Sequence, residues 1–319
     1  MKRTIAFLLL ALTFAGALAQ EPWPNRPMRL IVPFAPGSAA DIAARAVLDE
    51  LGKGLGQPVT VDNRAGGLGQ VGMQAAARAK PDGYTFVVGS ASGMSVALAL
   101  GNPIPYDPIK DFVPVGFLNT AAMAFAVRKD HPARSLEEFV AMAKNKKLSY
   151  ATSGALAQLI ADGFEQRANL DMLRVNYKAT GDAILDVMAG RVDLLITALS
   201  SIVGNGGLRP LAVASPARTS SLPSVPTLIE AGYKDFQIVG WSGVFAPAGT
   251  PERIVARFNL ELNKAVGRAE VRKLFETLGA DVVQLSPAQI SVFLREDIAR
   301  LDGMAKAAAQ AKDASPRQN

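Results

Sequence analysis

Residues 30–41 read LIVPFAPGSAAD. The apolar start of this stretch predicts a strand buried on both faces, as in a parallel sheet. Pro36-Gly37 ends the strand, and Ser38 and Asp41 have the spacing of a helix-capping box before an amphipathic run. A strand, a glycine turn and a helix start direct free backbone N–H groups outward, where an anion can bind. The alternative is an ordinary strand-to-helix connection with a well-formed cap.

The N-terminus has the pattern of a secretory signal peptide over residues 1–19. Lys2 and Arg3 precede an apolar segment, residues 5–14, and Ala17-Leu18-Ala19 forms an A-x-A cleavage motif. The apolar segment is too short to span a membrane. We therefore expect export to the periplasm and a soluble mature chain of about 300 residues that begins at Gln20. A chain of this length favours two domains.

The composition excludes several classes of site. The chain has no cysteine, which rules out disulfides, zinc–thiolate sites and cysteine nucleophiles, so the fold must depend on a large core. The formal net charge of +6 falls to +4 once Lys2 and Arg3 are removed. The basic residues are scattered and not interleaved with aromatic residues, so we expect no nucleic-acid partner. The positive charge mildly favours anionic small molecules.

Short apolar runs alternate with helical patterns, which indicates an α/β fold with mostly parallel sheets. A strand predicted over residues 85–88 ends in a second small-residue loop, residues 89–94, which leads into a helix over 95–100. Because the carboxyl ends of neighbouring parallel strands lie at one edge of a sheet, this loop and the loop at residues 35–41 are expected to line one crevice. The glycines within residues 66–69 lack the ending of a P-loop and are interpreted as a flexible turn.

The later part of the chain continues this alternation. Pro103, Pro105 and Pro108 mark an extended connector that leads into residues 111–117. The pattern restarts at Ala121 with a strand over residues 123–127. Residues 215–227 are rich in proline, serine and threonine, as an exposed connector is. Helical patterns fill residues 251–278, and a last helix is predicted from Ser286-Pro287 to about residue 311, before a frayed tail.

Side chains with catalytic chemistry are scarce. His131 is the single histidine, and its position in a polar turn predicts a solvated ring. A Ser-His-Asp triad would need His131 together with a G-x-S-x-G elbow, which the sequence lacks, and no ligand cluster predicts a metal site. Lys178 suggests a general base or a ligand contact, against the ordinary case of a solvated lysine. Trp241 is interpreted as a core residue, with stacking on a ligand as the alternative.

An ordered series of short motifs covers nearly the whole mature chain. It resembles the series of the Bug-type (TctC-like) substrate-binding proteins of tripartite tricarboxylate transporters. The motifs are RLIVPF at 29–34, LGQPVTV at 55–61 with NR at 63–64, KPDGYT at 80–85, PYDP at 105–108, YATSG at 150–154, YK at 177–178, GRVDL at 190–194, LPSVPT at 222–227 and APAGTP at 246–251. Each motif is short, and the set taken together is specific to the family.

The resemblance implies a two-lobed periplasmic-binding-protein fold of type II, the Venus-flytrap fold, with mixed, mostly parallel sheets and a hinge that closes the lobes on a ligand. Lobe 1 would comprise residues 20–121 and 219–319, and lobe 2 residues 122–218. In this family the loop matching residues 35–41 holds a ligand carboxylate through backbone N–H groups and a helix N-terminus. The ligand-binding residues implied by the resemblance are Ala35, Pro36, Gly37, Ser38, Ala39, Ala40, Asp41, Ser90, Ala91, Ser92, Thr152, Ser153, Tyr177, Thr180 and Thr197.

Three departures from the family pattern bear on the ligand. Residues 37–41 read GSAAD where the family has GGSTD, a GTSQH-like stretch is shortened to residues 155–158, and Thr197 stands where Asp is common. The missing acid at Thr197 argues against an amino-acid ligand, whose ammonium group would need a partner. Apolar residues such as Met94 favour a more apolar carboxylate, aliphatic or aromatic.

We therefore expect an exported monomeric solute-binding protein without catalytic residues, cofactor or metal. It would capture a small organic carboxylate and deliver it to the membrane subunits of a tripartite tricarboxylate transporter. Two alternatives stay open. One is a periplasmic ligand sensor for a membrane signalling partner, and the other is an exported enzyme on the same scaffold, whose turnover would depend on Lys178 or Asp182.

Overall fold

The stretch at residues 30–41 forms the predicted strand, turn and helix. In this computed structural model, which describes residues 23–177, 179–233, 236 and 238–314, the apolar residues 30–32 are fully buried. The helix begins at Ala39, and Ser38 caps it because Ser38 Oγ accepts a hydrogen bond from the Asp41 N–H at 3.3 Å. The predicted signal peptide, Lys178 and the tail after residue 314 lie outside the described residues.

The described part of the chain contains ten strands in one mixed sheet. They are β1 (Met28–Val32), β2 (Val59–Asn63), β3 (Thr85–Ser90), β4 (Phe112–Arg128), β5 (Ser149–Ser153), β6 (Leu173–Tyr177), β7 (Leu194–Ala198), β8 (Leu208–Ala214), β9 (Val239–Pro247) and β10 (Ala280–Asp281). The order across the sheet is β2-β1-β3-β9-β4-β7-β5-β6, and β8 and β10 also pair with β4.

The α-helices of eight or more residues in the described ranges are α1 (Ala39–Leu55), α2 (Gln70–Ala77), α3 (Leu136–Asn145), α4 (Ala155–Ala168), α5 (Thr180–Met188), α6 (Glu252–Val266), α7 (Ala269–Thr277) and α8 (Pro287–Ala314). The single helical pattern predicted over residues 251–278 is thus divided into α6 and α7. A π-helical turn, Ser92–Val96, replaces the start of the regular helix predicted over residues 95–100. In the described ranges, no helix combines the length and the apolar composition needed to cross a bilayer.

Strand β4 connects two parts of the sheet. The sequence predicts a break between residues 117 and 123, but β4 is one strand of 17 residues. Up to Ala122 it pairs with β9, and from Met123 it pairs with β7 and β8. Register shifts within residues 114–119 accommodate the proline and glycine that interrupt the apolar pattern. The expectation that the pattern restarts after residue 117 was therefore wrong.

The sheet has two carboxyl edges, each formed by the C-terminal ends of three parallel strands. The pairings of β4 bring these two edges face to face. β1, β2 and β3 are parallel, and Ser90 at the end of β3 lies beside Ser242 of β9, which lies beside Asn119 of β4. β5, β6 and β7 are also parallel, and Ala198 at the end of β7 lies beside Met123 of β4. β3 runs in the same direction as β4, whereas β7 runs in the opposite direction. The C-terminal ends of β3 and β7 therefore point towards each other. Residues 119–123, about 13 Å of extended chain, separate their ends.

One hydrophobic cluster extends through both parts of the sheet. It includes Val87 of β3, Phe125 of β4, Tyr150 of β5 and Leu294 of α8. α8 packs against β4, α4 and the turn Ser92–Val96. A second cluster fills the space between β1, β3 and the helices α1, α6 and α7, and a third lies between β7, β8 and α5. The last helix therefore covers the face that the two parts share.

Candidate functional site

Asp41 organises the loop that follows β1. Its side chain is 2% exposed. Oδ2 accepts hydrogen bonds from the Gly37 N–H and from Arg45 Nε, both at 2.9 Å, and Oδ1 accepts from Asn63 Nδ2 at 2.9 Å. Asn63 also donates to the Phe34 carbonyl at 3.1 Å. These bonds join the loop, the first turn of α1 and the end of β2 into one unit.

Asp41 carries its negative charge at neutral pH. The Arg45 guanidinium, together with the Gly37 N–H and the Asn63 amide, lowers the pKa of the Asp41 carboxyl to about 2, although burial acts in the opposite direction. The carboxylate itself therefore lies at the positive N-terminal end of the α1 dipole. Because Arg45 pairs with it at 2.9 Å, an anion that approaches the loop meets a compensated charge.

The expectation that the backbone N–H groups of residues 37–41 are free for an anion is correct only in part. Three of them are bonded within the loop: Gly37 to Asp41 Oδ2, Ser38 to the Ala35 carbonyl and Asp41 to Ser38 Oγ. Ile42 donates back to the Ser38 carbonyl at 2.9 Å. The N–H groups of Ala39 and Ala40 precede that bond and have no acceptor within the helix. Among the N–H groups of residues 37–41, these two are therefore the candidates for binding an anion, next to the exposed residues 35–37.

The predicted residues Ser90, Ala91 and Ser92 lie at the end of β3. Parallel pairing with β1 puts them at the same edge as the Asp41 loop, and the turns Gly67–Gly69 and Ser92–Val96 are in contact there. Ser92 is exposed. Met94 is fully buried, so it gives no support to the predicted preference for an apolar ligand.

Two polar residues that sequence analysis missed lie next to this edge. Ser242 of β9 donates from Oγ to Asn119 Oδ1 of β4 at 2.9 Å, and Ser90 pairs with Ser242 in the sheet. Both missed residues sit in strands whose other members are mostly apolar. A polar residue within such a strand was the signal that could have identified them.

The predicted residues of the second half gather at the carboxyl edge of β5, β6 and β7. Thr152 and Ser153 end β5, Tyr177 ends β6, and Thr180 begins α5. Ser153 Oγ and Thr180 Oγ1 share a hydrogen bond of 2.7 Å. Thr197 of β7 is 2% exposed and pairs with Ala124 of β4. The structure thus forms two groups of predicted residues, one on each edge.

Two residues of the second group already have partners within the protein. Tyr177 donates from its hydroxyl to Asp186 Oδ2 at 2.6 Å, and burial together with that carboxylate raises the pKa of Tyr177 to about 12. Thr152 is 2% exposed, and its hydroxyl lies 3.2 Å from Gln158 Oε1 and 3.0 Å from Asn176 Oδ1. Sequence analysis assigned no role to Gln158 or Asn176. Alignment of β5 with β6 could have drawn attention to Asn176, which lies opposite Thr152.

Helix α4 begins at the second edge without a side-chain cap. Gly154, its N-cap, has a φ of 88° and no side chain that could accept a hydrogen bond. Gln158 donates to the Gly154 carbonyl at 3.2 Å, so the N–H groups of residues 155–157 have no acceptor within the helix. α4 also contacts the turn Ser92–Val96. Unbonded helix N–H groups are therefore present at both edges.

His131 differs from its prediction. Its side chain is 6% exposed, because Nδ1 accepts a hydrogen bond from the Ala133 N–H at 3.1 Å and the ring packs on Phe139. Burial lowers the pKa of His131. The expectation of a solvated ring was wrong.

Of the other side chains considered for chemistry, Trp241 has a structural role and Asp182 lies in the first turn of α5. Trp241 is a core residue, 4% exposed, and its Nε1 donates to Asp297 Oδ2 at 2.9 Å. Asp182 is exposed on α5. Among the described residues, no group of three or more His, Cys, Asp or Glu is arranged to hold a metal ion.

Comparison with known proteins identifies a family. The model of the tripartite tricarboxylate transporter family receptor matches residues 43–309. The match includes both edges of the sheet apart from the loop at residues 35–41. BugT of Bordetella pertussis is 32% identical to this chain over 96% of its length and 97% of the relative's own length, so the similarity extends over that loop as well.

Solved structures show the same similarity. MatC of Rhodopseudomonas palustris, solved with bound malate, is 32% identical, with 89% of this chain and 100% of MatC covered and a TM-score of 0.73. Rpa4515 of R. palustris, solved with adipate, is 30% identical, with 90% of this chain and 98% of Rpa4515 covered and a TM-score of 0.77. The mixed α/β fold of periplasmic binding proteins, which the sequence predicts, is thereby confirmed. This chain belongs to the tripartite tricarboxylate transporter receptor family, as a Bug-type, TctC-like member.

Proposed function

We propose that this protein is a monomeric periplasmic solute-binding protein that captures a small organic carboxylate between two lobes. It would then deliver the ligand to the membrane subunits of a tripartite tricarboxylate transporter. The observation that carries the proposal is the pair of carboxyl edges that face each other across residues 119–123 of β4. Ligands of open α/β sheets bind outside the carboxyl ends of the strands, and here two such edges border one space.

The two lobes follow the two parts of the sheet. We place the first boundary between Ala122 and Met123, where β4 changes its partners. We place the second boundary near residue 239 and not at residue 219. Thr227 forms a bridge with Val213 of β8, and Tyr233 packs on Phe164 of α4 at 5.1 Å between ring centroids. Residues 227–233 therefore go with lobe 2.

Backbone N–H groups at two helix N-termini would bind the carboxylate groups. Ala39 and Ala40 supply them at the first edge, and residues 155–157 supply them at the second. Helix N-termini bind anions without a charged side chain, which suits a loop whose carboxylate, Asp41, is already paired with Arg45. Binding points on opposite edges fit a dicarboxylate, the class to which the malate of MatC and the adipate of Rpa4515 belong.

Thermal denaturation of the mature protein with small acids tests the proposal. The panel is malate, succinate, adipate, benzoate and glutamate. A ligand that binds only the folded state stabilises it by about 2.7 kcal/mol at a hundred times Kd, so we expect a clear rise in Tm with at least one acid that lacks an ammonium group. Titration calorimetry should give one site per chain, with no change in the recovered acid. The absence of any shift would contradict carboxylate binding, and chemical conversion of the acid would favour the enzyme alternative.

A proline substitution isolates the contribution of one N–H group. Ala39→Pro removes an N–H at the first position of α1, where proline is well tolerated and where Ser38, at φ −67° and ψ 160°, has a conformation suited to precede it. We expect the affinity for the bound acid to fall about tenfold, as for the loss of one hydrogen bond to a charged group.

The matched control is Ala269→Pro at the first position of α7. Its N-cap, Arg268, has a similar conformation at φ −67° and ψ 143°. Arg268 bonds to Glu50 near the far end of α1, so the control lies away from the proposed site. Equal losses of affinity in the two variants would contradict a specific role for the Ala39 N–H.

A further inference from the structure

A chain of hydrogen bonds leads from the interior of the second part of the sheet to its carboxyl edge. Arg174 donates from Nε to Tyr150 at 3.0 Å and from its terminal nitrogen to Asp162 Oδ1 at 2.5 Å. Tyr150, fully buried, donates in turn to Glu165 Oε2 at 2.9 Å. The inner end of the chain is therefore held by a buried ring and a guanidinium that cannot lose its charge.

Asp162 fixes the orientation of Gln158. Gln158 Nε2 donates to Asp162 Oδ1 at 2.7 Å, and that oxygen already accepts from Arg174. Turning the Gln158 amide over would place two acceptor oxygens against each other, because only the nitrogen of an amide carries hydrogens. Gln158 Oε1 is thus set towards Thr152 Oγ1, 3.2 Å away, and accepts a hydrogen bond from the Thr152 hydroxyl.

The Thr152 hydroxyl has one hydrogen, so it can donate to Gln158 or to Asn176 but not to both. In the structure, the atom 3.0 Å from Thr152 Oγ1 is Asn176 Oδ1, an acceptor. With the hydrogen given to Gln158, Asn176 forms a second bond only when a half turn about χ2 brings its own N–H to Thr152 Oγ1. The Asn176 oxygen is then left without a partner from Thr152. Asn176 is exposed and lies directly before Tyr177 at the carboxyl edge.

We propose that Asn176 contacts the ligand, that Gln158 is the positioning residue that sets the orientation of the Asn176 amide, and that the pair selects carboxylates that carry a hydroxyl group. The inference rests on the proposed function and adds a specificity to the same site. An oxygen that accepts hydrogen bonds favours a ligand hydroxyl over a bare carboxylate, which has no hydrogen to give. Thr152, expected to bind the ligand, supports Asn176 instead, since it is 2% exposed and bonded on both sides.

Matched pairs of acids test this inference by calorimetry. The pairs are malate with succinate, 2-hydroxyadipate with adipate and 4-hydroxybenzoate with benzoate. For a pair that binds, we expect the hydroxylated acid to bind about tenfold more tightly to the unmodified protein. Asn176→Ala should bring that ratio close to one. Gln158→Met, which keeps the length of the side chain but removes its polar atoms, should lower the ratio in addition to lowering Tm through its lost bonds to Asp162 and Thr152. A residue with a merely structural role would change Tm and leave the ratio as it was.

Asn145→Ala is the matched control, because Asn145 is an exposed asparagine at the end of α3 whose Nδ2 donates to the Ala141 carbonyl of its own helix at 2.9 Å. It should change neither the ratio nor the affinity. If no acid of any pair binds, the proposed function fails. If acids bind without a preference for the hydroxylated member, or if the ratio survives Asn176→Ala, carboxylate binding stands and this inference is overturned.

Discussion

Asp41 determines the shape of the loop at the first edge. One buried carboxylate accepts hydrogen bonds from a loop N–H, an arginine of the same helix and an amide of β2. No neutral side chain of similar size can accept all three, since each amide has a single oxygen. The conformation of the loop before α1 therefore depends on the ionised state of Asp41.

Replacing Asp41 by Asn tests this dependence through pH. The pKa of about 2 lies below the ordinary value of 3.8, so Asp41 stabilises the fold fully above about pH 4, and this stabilisation is lost as the pH falls towards 2. We expect Asp41→Asn to lower the free energy of unfolding by about 2 kcal/mol at neutral pH. The difference from the unmodified protein should shrink as the pH falls from about 4 to about 2.5. Urea denaturation across this range measures it.

Asp49→Asn serves as the control, because Asp49 is an exposed carboxyl on the same helix. Its cost should stay below about 0.5 kcal/mol at every pH. A cost of Asp41→Asn that is the same at neutral and acid pH would show that the carboxylate charge is not what holds the loop.

The residues of this loop that could be predicted from the sequence contact near neighbours in the chain. Those that could not be predicted contact residues far along the chain. Ser38 could be identified as a cap because capping acts within one helical turn. Asn63 could not, because it reaches Asp41 from 22 positions along the chain. His131 was misjudged for the same reason. Phe139 covers its ring and Arg209 donates to its carbonyl at 3.1 Å, and only the packing of α3 and β8 brings these residues near.

Helix α8 is attached to the sheet through a buried polar contact. Asp297, 1% exposed, accepts a hydrogen bond from Trp241 Nε1 at 2.9 Å and pairs with Arg300 at 2.5 Å. Phe293 packs edge-on against Trp241 and Phe117, with ring centroids 5.9 and 5.1 Å apart. Trp241 precedes Ser242 in β9, so the attachment of α8 lies one residue from the first carboxyl edge.

Asp297→Ala should destabilise the protein far more than an equivalent change on the surface of the same helix. Its removal leaves the Trp241 N–H buried without an acceptor and Arg300 without its partner, and we expect a loss of about 3 kcal/mol. Asp302→Ala is the control. Asp302 pairs with Lys306 at 2.7 Å but is 43% exposed, so its loss should stay below about 1 kcal/mol. Chemical denaturation compares the two, and similar small losses would refute the role given to Asp297.

Strand β4 shows why the positions of helices and strands were predicted more reliably than the length of a single strand. The buried strands β1 and β3 and the capped helices α1 and α3 follow from local patterns that the sequence displays. β4 was divided in two because Pro114, Gly116 and the polar residues 119–120 interrupt its apolar pattern. Those residues are tolerated because register shifts and a change of partners occur at the same place. Such pairing is set by distant strands, which a single segment does not reveal.

The two facing edges belong to a molecule with one continuous core. The cluster that contains Val87 of the first part also contains Tyr150 of the second, and α8 packs on both. The proposed closure of two lobes about β4 has to preserve this cluster, which would confine it to changes around residues 119–123. Loss of the cluster in one part removes the packing surface of the other, so the parts are not expected to unfold separately.

Scanning calorimetry tests this coupling. We expect one thermal transition with a ratio of calorimetric to van 't Hoff enthalpy near one, as for a two-state unit, and a bound acid should move the whole transition upward. Leu294→Ala removes a side chain of α8 that is 2% exposed in the shared cluster. It should cost about 3 kcal/mol and lower the single transition without dividing it. Two separate transitions, or a ligand that shifts only part of the heat absorption, would mean that each part has a core of its own and that α8 does not couple them.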